Sequence, residues 1–184
     1  MIGLHDLRSR LSIIPQDAAI FEGTIRDNLD PRGVHDDTEL WSVLEMAHLK
    51  EKVSAMEGKL DARVQEGGSN LSVGEKALVS LARALLAPSH VMVMDEATGS
   101  LDTQTDIQIQ QTIRKLDSTI ITIAHRINTI IDYDRIVLLD HGEIKEVGHP
   151  YKLLVDKEGL FYSMCKGTGE LALDRTEESC VLIV

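Results

Sequence analysis

Aromatic residues are scarce: they make up 3% of the 184 residues, with a single tryptophan at Trp41, and so few rings leave little surface on which unpaired bases could stack. Positive charge is in deficit as well. The 19 Lys and Arg are outnumbered by 30 Asp and Glu, for a formal net charge of -11. A phosphate backbone is bound by Lys and Arg that displace its counterions, so this chain would repel one. Nucleic acid is therefore excluded as a principal partner. Cysteine is limited to Cys165 and Cys180, at no spacing that suits zinc, and a pair of free thiols fits a reducing compartment. Long hydrophobic runs are missing too. Stretches such as Val91–Met94 and Ile120–Ala124 fall far short of the ~18 residues of a membrane-spanning helix. The opening Met1-Ile2-Gly3-Leu4-His5-Asp6 has neither the basic region nor the apolar run of a signal peptide. Cys180 stands one position too early for a prenylation signal. What remains, 43% hydrophobic and 27% charged, is the profile of a folded domain with a core of its own.

Along the chain, Leu11–Ile14 is an apolar run closed by Pro15, which reads as a buried strand. From Thr38 to Ala55, Leu40, Val43, Leu44, Ala47 and Val53 recur at helical spacing, which predicts one amphipathic helix. A glycine-rich break at 66–70 precedes a second helical pattern, with Leu78, Val79, Leu81, Ala82, Leu85 and Leu86 on one face and Pro88 as its stop. The rhythm then becomes strand, helix, strand over Val91–Met94, Thr103–Leu116 and Ser118–Ile123, the signature of parallel strands with crossover helices. Arg135–Leu139, the turn at Asp140-His141-Gly142 and a return strand Glu143–Val147 predict a hairpin, and short helices follow from 150 to 166. Residues 167–184 read as a mobile tail, the apolar Cys180–Val184 included, with fraying favoured over docking.

Val91–Met94 runs straight into Asp95 and Glu96. Parallel strands present ligands at their C-terminal ends, where Asp95 would hold Mg²⁺ and Glu96 would take a proton from an attacking water. Alone, an Asp-Glu pair is more often a solvated turn. Ser72 suits a helix N-cap and Gly74 allows close approach to the helix start, an arrangement that fits a phosphate, although a Ser-x-Gly start is commonly mere capping. Ile120–Ala124 leaves His125 at a strand tip, and Gln16 ends another strand; neither means much in isolation.

Together and in this order, these residues resemble the nucleotide-binding domains of ATP-binding-cassette transporters over about residues 3–160. Leu71, Ser72, Val73, Gly74 and Glu75 look like that family's signature motif, Val91–Glu96 like its Walker B strand with the catalytic glutamate, and Ala97–Asp102 like its D-loop. His125 falls where the switch histidine sits, and Gln16 looks like the Q-loop glutamine. Wording such as Asn28-Leu29-Asp30-Pro31, Ala47-His48-Leu49-Lys50 and Thr122-Ile123-Ala124-His125-Arg126 resembles the second such domain of the C-type, multidrug-resistance-associated subfamily.

The resemblance implies an α/β fold: a partial P-loop NTPase (RecA-like) parallel sheet over residues 1–166, with an inserted helical subdomain at about 24–86. It implies ATP and Mg²⁺ as cofactors, Gln16 and Asp95 as metal contacts, Glu96 and His125 as catalytic residues, and Gln16, Leu71–Glu75, Asp95 and Asp102 at the nucleotide. It implies two partners: a second nucleotide-binding domain paired head to tail, and transmembrane domains that carry organic anions or conjugates. The place of work would be the cytosolic face of a membrane.

The sequence departs from the pattern in two ways. No G-x-x-x-x-G-K-[ST] phosphate loop occurs in it, so this polypeptide alone is expected neither to bind ATP tightly nor to hydrolyse it. Glu75 stands where most of the family has glutamine, and its charge is expected to weaken the partner's ATP site, leaving one hydrolytic and one mainly holding site. Two other functions are open: a soluble cassette ATPase of the translation or repair kind, which the acidic charge disfavours, and a non-catalytic interaction module.

Overall fold

The computed structural model describes Gly3, Asp6 and residues 10–87, 89–95, 101–124, 131, 133–166 and 179–183. Three strands, β1 (Leu11–Ile14), β4 (Val91–Asp95) and β5 (Thr119–Ala124), lie side by side and parallel. Ile14 pairs with Met94, and Asp95 with Ile123, so the three C-terminal ends form one edge. Apolar residues on successive positions suit strands covered on both faces. Between β1 and β4 the chain makes the two-residue strand β2 (Gly23–Thr24), helices α1 (Ile25–Leu29), α2 (Asp37–Met46) and α3 (Lys50–Ala55), the strand β3 (Arg63–Val64), which pairs antiparallel with β2, and the long helix α4 (Val73–Leu86).

The single helix predicted over 38–55 is two. Leu49 N–H bonds the Leu44 carbonyl and His48 N–H bonds that of Glu45, while His48 takes φ 57°. This is a left-handed helix ending that reorients the chain before α3. Apolar periodicity runs through such a corner unbroken because Val53 buries in the same core as Leu44. The glycine-rich break is a 3-10 turn, Glu66–Gly68. There Gly68 has φ +66°, and a Cβ would lie 2.7 Å from Ile20 Cγ2, so glycine is required for both backbone and packing.

One apolar core joins helices and sheet. Ile14, Leu40, Leu44, Leu81, Met94 and Ile109 belong to it, the last contributed by helix α5 (Thr103–Ile113), which connects β4 to β5. A second, smaller core of Ile136, Leu138 and Phe161 lies under the predicted hairpin, strands β6 (Ile136–Asp140) and β7 (Glu143–Gly148). Its two-residue turn has His141 at φ 51° and Gly142 at φ 76°, both positive as a type I′ turn demands. Helices α6 (Pro150–Val155) and α7 (Leu160–Lys166) pack on it. The Cys165 thiol is free, and burial pushes its pKa up.

The expectation of a fraying C-terminus is corrected. Ser179–Ile183 forms strand β8, antiparallel to both β5 and β6 and lodged between them, giving the sheet order β1-β4-β5-β8-β6-β7. Val181 and Ile183 are β-branched and have strong strand preference, and the slot offers two rows of backbone groups at once. The remainder of the expected tail, 167–178, lies outside the described residues.

Candidate functional site

The parallel edge carries the first group of candidates. Asp95 is the last residue of β4 and half-buried; Gln16 lies just beyond β1, exposed. Because β1 and β4 are paired in register, the two stand at the ends of adjacent strands, where parallel sheets bind ligands. Both offer hard oxygen donors, a carboxylate and an amide carbonyl, the set that suits Mg²⁺ bound through one or two protein oxygens and a nucleotide's phosphates. Among the described residues no three His, Cys, Asp or Glu side chains group as a metal site. Glu96 and His125, the two residues with expected catalytic roles, lie outside the described residues.

The second group opens α4. Ser72 is its N-cap, in extended conformation. The Ser72 Oγ accepts from Glu75 N–H at 3.1 Å, and Glu75 Oε2 accepts from Ser72 N–H at 2.8 Å. This reciprocal pair, a capping box, uses up two of the helix's end donors and leaves the Val73 and Gly74 N–H groups at the positive end of the dipole. Leu71, 8% exposed, anchors the start in the core.

The charge at Glu75 is held locally. It does not project unopposed toward a ligand: Oε1 pairs with Lys52 Nζ of α3 at 2.9 Å, and Oε2 is held by the cap. Burial would push its pKa up, but the Ser72 N–H and the Lys52 ammonium together outweigh burial and hold it below the ordinary value. Among the described residues no hydrogen bond or ion pair joins Leu71–Glu75 to Gln16 or Asp95.

Asp102 immediately precedes α5 and is exposed. Its Oδ1 accepts from Thr105 N–H at 3.1 Å and its Oδ2 from the Thr105 hydroxyl at 2.6 Å, the geometry of an N-cap.

Sequence reasoning missed two residues. Lys52 is one; its pairing with Glu75 crosses between helices, beyond any local pattern. Arg83, on α4, is the other. It donates to the backbone carbonyls of Asn28 and Ala19, donates from Nη2 to Asn28 Oδ1 at 2.8 Å, and lies 5.6 Å over the Phe21 ring. Asn28 in turn donates to the carbonyls of Phe21 and Thr24. This clip ties the loop that follows Gln16 to the helix that begins at Val73.

Comparison with known proteins shows the family of the chain. The family model described as ABC transporter matches residues 2–99. The chain is 53% identical over 171 residues to the metal resistance protein YCF1 of Saccharomyces cerevisiae, covering 91% of this chain and 11% of that protein. It is 53% identical over 169 residues to the vacuolar heme ABC transmembrane exporter abc3 of Schizosaccharomyces pombe, covering 91% and 12%. With ATP-binding cassette sub-family C member 4 of Homo sapiens it shares 50% identity over 171 residues, covering 92% and 13%. A solved bacterial Atm1-family ABC exporter with ATP bound superposes with a TM-score of 0.84 at 34% identity, over 90% of this chain and 30% of that one. The chain thus spans about a tenth of the curated relatives it matches.

Proposed function

Because the chain belongs to the ABC transporter family, we propose that it is the C-terminal part of the second ATP-hydrolysing motor domain of a C-type exporter. No helix among the described residues is long and apolar enough to cross a membrane. The chain would work at the cytosolic face, beneath transmembrane domains contributed by the same transporter.

Asp95 and Gln16 would hold Mg²⁺; when bound, the ion neutralises charge on the β- and γ-phosphates of ATP. Glu96 takes a proton from the attacking water and His125 orients the γ-phosphate. The Ser72–Gly74 turn supplies N–H groups to the nucleotide held by a partner domain paired head to tail, and Asp102 couples the two sites. Positioning and charge stabilisation supply most of the rate in such a transfer. The grip on the remaining phosphates must come from residues these 184 do not include, since no G-x-x-x-x-G-K-[ST] occurs among them. Organic anions or conjugates are the cargo class; two of the similar proteins are named for metal resistance and heme export.

The observation that carries this reading is that one chain holds an acid-tipped parallel strand and a capped helix start but no phosphate loop. Each of the two is incomplete by itself, and no hydrogen bond or ion pair joins them among the described residues, which supports completion of each by another domain.

The test is phosphate release by the transporter polypeptide that contains this sequence, beside the 184-residue chain alone. Glu96→Gln in the transporter should cut turnover about 10²–10⁴-fold, the range for loss of a general base, and the isolated chain should show none that depends on Mg²⁺. Wild-type turnover in the variant, or turnover by the isolated chain, would sink the proposal. The missing phosphate loop favours one rival, a non-catalytic module. An antibody to residues 167–184 separates the two: a large detergent-extracted polypeptide supports the motor, and a soluble species near 20.4 kDa supports the module.

A further inference from the structure

Glu75 is an awkward residue to find at an anion site. A carboxylate within a few ångströms of a phosphate opposes it, the more so when closure of the site removes water. The structure shows how that charge is managed. Of the two Glu75 oxygens, one is fixed on the Ser72 N–H at 2.8 Å and the other on Lys52 Nζ at 2.9 Å. The Glu75 side chain is 22% exposed and that of Lys52 47%, so the pair is partly shielded and its cation is reachable from solvent. Lys76, the next cation along α4, is committed elsewhere, to the Gly67 carbonyl at 2.8 Å. Among the described residues Lys52 is the cation that pairs with Glu75. It comes from a different helix, α3, so the pairing also fixes α3 against the first turn of α4.

We propose that Lys52 is a positioning residue of the composite nucleotide site: by holding the Glu75 carboxylate back against the helix cap and cancelling its charge, it keeps the Val73 and Gly74 N–H groups available to the phosphate of the nucleotide bound by the partner domain. This rests on the motor reading above. The glutamate is thereby a tolerated signature residue whose cost depends on whether Lys52 is present.

The charge logic gives a test that a merely structural contact would fail. In the intact transporter polypeptide, MgATP binding and turnover are measured for Lys52→Gln, Lys52→Arg, Glu75→Gln and the Lys52→Gln/Glu75→Gln double variant. Glutamine at 75 can still accept from Ser72 N–H, so the cap survives while the charge goes. With Glu75 present, Lys52→Gln should weaken apparent MgATP affinity about three- to tenfold, the range of coupling between contacting residues, with kcat little changed. Lys52→Arg should retain affinity. With glutamine at 75, removing Lys52 should shift affinity less than twofold. An equal loss in both backgrounds would make Lys52 a prop for the helix and overturn the proposal, as would no loss in either. Glu96→Gln in the same polypeptide separates the two readings: if turnover survives it, the motor assignment fails whatever Lys52 does.

Discussion

Asp30 is a buried carboxylate, 7% exposed, whose Oδ2 accepts from His35 N–H at 2.7 Å. Burial alone would raise its pKa; backbone N–H groups of His35, Val34 and Arg32 outweigh burial and lower it. Asp37, exposed, is lowered by its hydrogen bond to Arg26 at 2.6 Å. A carboxyl that is more acidic folded than unfolded adds stability above its unfolded pKa, and that stability drains away as pH falls through the folded value. Stability should therefore hold from neutral pH to about the ordinary carboxylate range near 4 and decline below it. Asp30→Asn should flatten that decline in urea titrations read against pH; an unchanged slope would show that Asp30 is not a source of it. The sequence does not reveal this burial, because the N–H groups that hold Asp30 gather only once the backbone closes over it.

At the scale of elements, legibility followed locality. The capped start of α4, the β4 strand ending in acid and the His141-Gly142 hairpin were readable because each is specified by neighbours two to four residues apart. The split between α2 and α3 was not. Its left-handed residue is a histidine, and apolar spacing continues through the corner because both helices feed one core. Arg83 was equally hidden, since it acts on residues more than fifty positions away. It is partly buried with carbonyl partners, and desolvation lowers its pKa. Arg83→Met would keep the bulk and strand the carbonyls of Asn28 and Ala19 without donors. The expected cost is roughly 2–4 kcal/mol, from the loss of charge-assisted bonds to partly buried acceptors. Hydrogen exchange should localise the loosening to residues 19–28; a purely global loss of protection would mean that the clip does not define the loop.

For the whole molecule, the sheet is held together by its last strand. Among the described residues β5 and β6 are joined within the sheet through β8, and Tyr133, packed on the hairpin core and bonded to Thr122 of β5, adds a side-chain tie between the halves. Deleting 179–184 should leave the β1-β4-β5 half folded, open the edges of β5 and β6 and promote self-association, since an unpaired edge is a template for another chain. Sedimentation of the shortened chain that stays monomeric, with β6 still protected from exchange, would contradict this. The tail composition alone could not reveal that strand, because what selects it is a slot built by residues sixty and forty positions earlier. There is a temporal side to the same arrangement. A chain emerges from the ribosome at about 5–20 residues per second, and β8 is made after every strand it must join. During synthesis the gap between β5 and β6 stands open for seconds, and for that interval this half of the sheet depends on whatever holdase or neighbouring segment shields its edges.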